Sequence, residues 1–332
     1  MFEDYAARCR RGEVHLGRPY LYRRLLPPCV LNFPTKDHWR SVASLASIVA
    51  GLEYLVQNYE AWGISSLAVP PLGCGEGQLE WRIVGPTLYR YLERLAVPVE
   101  LYAPYGTRHE ELEPEFLRGS AELRSTQGPE PQWVKPGWVA LVEVLRRIEE
   151  RPYHWPTGRT LFQKLAYVAT AEGLPTGLEY RPGSYGPFSP DLKGVMTRLV
   201  NNGLIRERRL GRMLEVEVGP TFADARKAYA EALTGWDALI DRIVDLFVRM
   251  DTEEAEVAAT VLFVARALQA GREGTTTERD VLEGVMRWKQ RRRPPLVEED
   301  VAKTIRNLAA LDWIKVKASG DLPLPSDELL YA

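Results

Sequence analysis

Two short segments hold the residues whose types and spacing suit chemistry. The first is Asn32-Phe33-Pro34-Thr35-Lys36-Asp37-His38-Trp39-Arg40. It sets a primary amine, Lys36, beside the hydroxyl of Thr35 and near the imidazole of His38. An amine in such a place offers a cation for phosphate or a nucleophile for a sugar carbon. The second role needs burial or neighbouring cations to bring an amine from about 10.4 toward 7–8, and His38 and Arg40 are close enough in sequence to help. Taken alone, the segment reads equally as a surface loop with a lysine on it. The second segment is Pro70-Pro71-Leu72-Gly73-Cys74-Gly75-Glu76-Gly77. Glycines at spacing two let backbone amides face outward as a concave anion site, aided by the N-terminus of a following helix. The pattern is neither the Walker nor the dinucleotide fingerprint, and a tight turn explains it as well. Cys74 has no histidine beside it and reads as a small packed residue.

Both segments need strands to aim them. Cys29–Phe33 is a short apolar run after Pro27-Pro28, Leu67–Val69 a second, and Val97–Leu101 a third. Between them, Leu45, Ile48, Leu52, Leu55, Val56 and Tyr59 share one helical face that ends before Gly63, and Trp81, Val84, Leu88 and Leu92 mark another helix. Strands alternating with helices predict a parallel sheet covered on both faces, with ligands bound beyond the carboxyl ends of its strands. Three strands make a thin sheet where about 5–6 is usual, and the chain starts in a helix-like stretch, Phe2–Arg11. The expectation is that strands completing this sheet are absent.

Residues 106–135 lose periodicity, gather Glu110, Glu111, Glu113 and Glu115 between prolines, and read as an acidic linker. Beyond it, Trp138, Leu141, Val142, Leu145 and Ile148 give a helical face. Thr160-Leu161-Phe162-Gln163 predicts a capping box opening a helix, and Ser189-Pro190 predicts the start of another that runs to Asn201 before Gly203. A hairpin over Leu204–Val218 follows. Helix, helix, hairpin is the plan of a winged helix. From Phe222 to about Leu311 the pattern is helical, with a last strand expected at Trp313–Val316. The expected organisation is thus 1–105, 106–135 and 136–332.

Taken in order, Asn-Phe-Pro-Thr-Lys-x-His-Trp-Arg, a helix, and Pro-Pro-Leu-Gly-Cys-Gly-x-Gly resemble the macrodomain of the DarG antitoxins, partners of the DNA ADP-ribosyltransferase DarT. Phe162–Tyr167, Gly183-Ser184-Tyr185-Gly186-Pro187-Phe188 and Arg287-Trp288-Lys289 resemble marks of the same family's second domain. The resemblance implies an α/β macrodomain, here an N-terminally truncated three-layer sheet, followed by a mainly α, winged-helix-like domain. It implies removal of ADP-ribose from thymidine bases in single-stranded DNA, a form of DNA repair. It also implies binding and inhibition of a DarT-like toxin. Lys36 takes the place of the catalytic lysine. Gly73, Cys74, Gly75, Glu76 and Gly77 take that of the diphosphate and ribose loop. Thr35 and His38 become the lysine's neighbours. No cofactor or metal is implied. The family's first strand, Asn loop and Gly-Lys-Gly segment have no counterpart here. Related terminal ADP-ribose glycohydrolases put an aspartate in the glycine loop, where this chain has Gly77 with Glu76 adjacent.

Toxin binding has a candidate surface. Asp237, Asp241 and Asp245 recur every four residues, about 6 Å apart on one helical face, with Asp251, Glu253, Glu254 and Glu256 extending the charge. Such a row could imitate DNA phosphates; it is also what an ordinary solvated helix looks like. Arg287–Arg293, with Trp288 inside a basic run, suits either nucleic acid or a plain surface. Composition narrows the classes. The chain has 332 residues, predicting two domains, and is 45% hydrophobic and 27% charged, which excludes wholly disordered and collagen-like chains. A net charge of −2 excludes a protein held to nucleic acid by bulk basic charge. The longest nearly apolar run, Val257–Ala265, is far short of the roughly 20 residues of a membrane helix. With three scattered cysteines and no signal-like opening, a reducing cytoplasm is expected. Two other functions remain open: a catalytically dead antitoxin acting through residues 136–332, and a winged-helix DNA-binding regulator, whose recognition helix would carry only Lys193 and Arg198.

Overall fold

The structure, a computed structural model, describes residues 1–25, 28–38, 41–119, 133–211, 213–271 and 275–323. The first elements in the chain are α1 (Phe2–Arg10), β1 (Tyr20–Tyr22), β2 (Val30–Asn32), α2 (Leu45–Asn58), β3 (Leu67–Val69), α3 (Trp81–Leu92), β4 (Val99–Leu101) and α4 (Pro114–Leu117). Next come α5 (Pro136–Glu149), α6 (Arg159–Ala171), β5 (Arg181–Gly183), β6 (Gly186–Phe188), α7 (Leu192–Asn201), β7 (Ile205–Leu210) and β8 (Met213–Val218). The remainder is helical: α8 (Phe222–Ala228), α9 (Ala230–Gly235), α10 (Asp237–Phe247), α11 (Thr252–Gly271), α12 (Glu278–Trp288) and α13 (Glu298–Ala310).

The strands do not build the expected single sheet. β3 and β4 pair in parallel, Leu67 opposite Val99 and Val69 opposite Leu101. β2 instead pairs antiparallel with β1, a strand the sequence reading missed, Tyr20 opposite Asn32. Among the described residues the three-layer sheet is therefore two separate pairs of three-residue strands. The first crossover holds because α2 and α3 bury continuous apolar faces against one another. Leu45, Ile48, Leu52 and Leu55 on α2 and Ile83, Val84 and Leu88 on α3 are almost fully buried, each side chain contributing about 1.5–3 kcal/mol.

The stretch read as a linker is partly built into this body. Phe116 and Leu117 are buried. Gly85 of α3 leaves room for Leu117, whose Cδ2 would lie 3.3 Å from an added Cβ. Residues 120–132 lie outside the described residues. The chain divides into two compact units: residues 1–146, 193–207 and 217–237 form unit 1, and 147–192, 208–216 and 238–332 form unit 2. These are not the expected boundaries. The reason lies in unit 1, where α8 packs on α3, and Tyr229, after α8, lies over Arg82 of α3 at 5.3 Å. In unit 2, α11 packs on α6, α12 and α13; Gly284 lets α12 come close enough that an added Cβ would be 2.6 Å from Val264 Cγ1.

Several local expectations shift. Gly158, not Thr160, is the N-cap of α6, because the Gln163 side chain donates instead to the Ser189 carbonyl at 3.3 Å. The Ser189 hydroxyl is buried without a partner among the described residues and caps nothing. A full capping box does occur, at Thr277 and Asp280 of α12. The expected hairpin is present as β7–β8, but a second one, β5–β6, comes between α6 and α7, so the order is not the simple helix, helix, hairpin. Trp313–Val316 is no strand; only Lys317 makes a bridge, to Thr277.

Candidate functional site

The two chemistry-bearing segments meet in unit 1. Phe33 anchors the first: Gly51 of α2 has no side chain, and a Cβ there would lie 2.4 Å from the Phe33 ring. Pro34 is buried behind it, Thr35 and Lys36 are half-buried, and Asp37 and His38 are exposed. From this seat the Lys36 ammonium donates a hydrogen bond of 2.5 Å to the carbonyl oxygen of Glu76, forty residues away. Trp39 and Arg40 lie outside the described residues.

The glycine loop is closed by its own backbone. The amide of Cys74 donates to Pro71, that of Gln78 to Gly75 and that of Leu79 to Gly73, all at 2.9–3.1 Å. A further tie joins Ala43, just before α2, to the Gly77 carbonyl at 3.0 Å. Gly73 has φ +78°, a region that favours glycine. At Gly77 a Cβ would sit 2.4 Å from the Gly73 carbonyl oxygen. Gly75, by contrast, faces open space and has no positive φ, so it is not the residue that requires glycine for the loop's shape. Among the described residues the amides of Gly75, Glu76 and Gly77 have no acceptor, and Gly75 and Glu76 are exposed. Donors grouped beside an ammonium are of the chemical kind that can hold an anion. Burial pushes the Cys74 thiol far above its ordinary range, which leaves it protonated and poorly suited to nucleophilic work.

The loop runs into α3 through a buried polar network that sequence reasoning missed. Glu80 precedes the helix; its amide donates to Asn202 Oδ1 at 2.8 Å. Its carboxylate accepts from the amides of Trp133 at 3.0 Å and Val134 at 3.4 Å. Burial raises its pKa despite those bonds and the nearby Arg82. Arg82 pairs with Glu111 at 2.8 Å, both side chains only 2% exposed. Tyr229 donates to the Val134 carbonyl at 3.1 Å. The one hint in the sequence was a charged pair, Glu80 and Arg82, around an otherwise apolar helix start. Their partners are far along the chain and carry no local signal.

The acidic stripe is less free than its spacing suggests. On α10, Ile240, Ile243, Val244 and Phe247 are buried, while Leu239 is only half-buried. Asp241, however, is paired with Arg147 at 2.5 Å, and Asp245 lies 4.0 Å from Arg151. Glu256 does not extend the stripe at all: it is 4% exposed and bonded to Lys289 at 2.6 Å and Arg292 at 3.2 Å. Two of the basic residues of the Arg287–Arg293 run are therefore occupied inside unit 2. No helix among the described residues is long and apolar enough to cross a membrane.

Comparison with known proteins finds DNA ADP-ribosyl glycohydrolases among the chain's relatives. A DNA ADP-ribosyl glycohydrolase of Mycobacterium tuberculosis is 33% identical over 207 residues, covering 59% of this chain and 54% of that protein. A fusion of DNA ADP-ribosyl transferase and DNA ADP-ribosyl glycohydrolase from Thermosipho africanus is 41% identical over 132 residues, 34% of each chain. The solved macrodomain of Mycobacterium tuberculosis DarG is 40% identical over 31% of this chain and 71% of that one, with a TM-score of 0.31. The chain thus spans from one third to about half the length of these curated relatives. No family model matches it.

Proposed function

This chain is a relative of the DarG DNA ADP-ribosyl glycohydrolases, and on that premise we propose that it releases ADP-ribose from thymidine bases in single-stranded DNA. The observation that carries this reading is the hydrogen bond from Lys36 to the Glu76 carbonyl. It brings the amine of the first segment to the rim of the glycine loop. The loop of Gly73, Cys74, Gly75, Glu76 and Gly77 would then receive the diphosphate on the free amides of Gly75, Glu76 and Gly77, with Thr35 and His38 beside the lysine. Lys36 would stand at the anomeric carbon. As a nucleophile, its neutral amine forms a bond to that carbon while the bond to the thymine nitrogen breaks and the nitrogen takes up a proton. Water then cleaves the new bond, giving ADP-ribose and the free amine. As an ammonium it would instead stabilise charge on the departing group while water attacks directly.

The test is release of ADP-ribose from an ADP-ribosylated single-stranded oligonucleotide. Lys36→Ala should abolish turnover while the melting temperature changes little, since a half-exposed amine adds little to packing. Retained turnover in that variant removes Lys36 from the mechanism. Absence of turnover in the wild type rejects the enzymatic reading.

The proposal includes a DarT-like toxin as partner, bound through the C-terminal half, winged-helix-like in our reading. Asp237, Asp241 and Asp245 are its candidate contacts; the latter two remain 53% and 77% exposed despite their arginines. Slower, less salt-dependent association on replacing all three with asparagine would support them.

A further inference from the structure

Leu79, just past the glycine loop, is the loop's floor. It is fully buried. Its amide closes the loop on the Gly73 carbonyl at 3.0 Å. Its side chain fills the space beneath Gly73, where an added Cβ would lie 2.6 Å from Leu79 Cδ1 and 3.0 Å from Ile48 Cδ1 of α2. The shape of the loop therefore depends on where Leu79 stands, and the next residue fixes that. The Glu80 amide donates to Asn202 Oδ1 at 2.8 Å. One oxygen of its carboxylate, Oε2, accepts from the successive amides of Trp133 and Val134 at 3.0 and 3.4 Å. All of these residues belong to unit 1.

Stability alone gives little reason for an acid at this position. Glu80 is the N-cap of α3, yet its side chain makes no cap bond; the carboxylate serves residues 133 and 134 instead. It is 8% exposed, and a buried carboxylate costs desolvation. Burial accordingly holds the carboxyl above its ordinary range. After burial itself, the Glu80 charge is what raises the Cys74 thiol, so the carboxylate lies close to the loop. What an acid supplies that a packed apolar side chain does not is an acceptor strong enough to hold two amides at once. Those amides open the segment that leads into α5. The loop is thus tied, through one side chain, to a stretch more than fifty residues away.

We propose that Glu80 is a positioning residue for the glycine loop. By accepting the Trp133 and Val134 amides it holds Leu79 under Gly73. It thereby keeps the Gly75, Glu76 and Gly77 amides, and the Lys36 contact at Glu76, in the arrangement that receives a diphosphate. Its effect on ADP-ribose rests on the function proposed above; its effect on loop order does not. Both are measured on the full chain in two variants. Glu80→Met keeps the length of the side chain and removes the acceptor, and Glu80→Gln keeps an acceptor oxygen. Residue-resolved hydrogen exchange of the unliganded protein reads loop order. In Glu80→Met the amides of Gln78, Leu79 and Ala43, which close the loop, should exchange at least about tenfold faster, while amides in the middle of α2 keep their protection. Calorimetric titration with ADP-ribose should show an affinity weaker by at least about tenfold. Glu80→Gln should stay close to wild type in both measurements. Asn202→Ala removes the other tie to Glu80 and should speed exchange at the same three amides; it decides the matter if Glu80→Met does not fold. Unchanged exchange in these variants overturns the proposal, as does a uniform rise across α2 and α3, which would mark a merely structural role. Equal loss in Glu80→Met and Glu80→Gln would assign the effect to charge and overturn the acceptor account. Loosened amides with unchanged ADP-ribose affinity would overturn the link to binding. A wild type that binds no ADP-ribose rejects the proposed function, and exchange still decides the role of Glu80.

Discussion

At Gly77 an added methyl group would meet the carbonyl oxygen of Gly73 at 2.4 Å and its Cα at 2.8 Å. Both are backbone atoms, so the loop itself must move. At Gly75 the same methyl group meets nothing within 4 Å. The two substitutions therefore separate loop shape from loop presence. Gly77→Ala should reduce ADP-ribose affinity at least tenfold in calorimetric titration and lower the melting temperature. Gly75→Ala should keep stability within about 0.5 kcal/mol and bind ADP-ribose close to wild type. Equal damage from both would mean that the loop's curvature does not depend on the Gly73–Gly77 contact. The glycine loop and the lysine segment were legible as candidates because both are local patterns, and the structure brings them together. Which glycine is indispensable was not legible, since the answer depends on the turn that brings residue 77 back onto residue 73.

The β5–β6 hairpin shows what an element hides when its stability comes from elsewhere. Arg181-Pro182-Gly183 has little strand propensity, and its fixing contacts come from Lys164 of α6, Lys289 just after α12 and Thr260 in the middle of α11. In the same way the T-x-x-Q spacing at Thr160 predicts a cap, but Gln163 has a better acceptor in Ser189. Helices with long apolar stripes, such as α2, α3 and α10, were legible because the stripe is its own evidence. The hairpin's anchor also sets a pH dependence. Burial lowers Lys164 from 10.5 to about 8. Between those values the folded chain holds fewer protons than the unfolded one. Unfolding free energy should therefore rise with pH across that window, by at most about 3 kcal/mol. Lys289 is lowered in the same direction, again chiefly by burial. Urea unfolding at pH 7.5, 8.5 and 9.5 should show this rise in the wild type and a flatter profile in Lys164→Met. An identical slope in the two proteins would show that the ammonium is not the titrating group.

For the molecule as a whole, the chain enters unit 1 three times, through residues 1–146, 193–207 and 217–237. A cut in the 120–132 region therefore divides unit 1. It separates Arg82 from Tyr229 and Glu80 from Asn202, Trp133 and Val134. Fragments 1–119 and 136–332 should each lose cooperative melting or bind a hydrophobic dye that the full chain excludes. If both melt cooperatively near the temperature of the intact chain, the interlaced unit is not needed for stability. Length suggested a chain of two parts. Their interlacing was not legible, because Asn202 and Tyr229 look in sequence like ordinary members of a C-terminal half.

That threefold entry also bears on how the chain is made. A ribosome completes β4 long before it reaches Tyr229. At ordinary synthesis rates the interval is on the order of 10 s. Throughout it, Arg82 and Glu111 have their charges but not the aromatic ring that covers them, and the α8-facing side of α3 lies open to water. The glycine loop, anchored through Glu80, stays provisional for the same period. The nascent amino-terminal half is thus a substrate for holding chaperones and proteases until residue 237 emerges, and the candidate site matures only when most of the protein already exists.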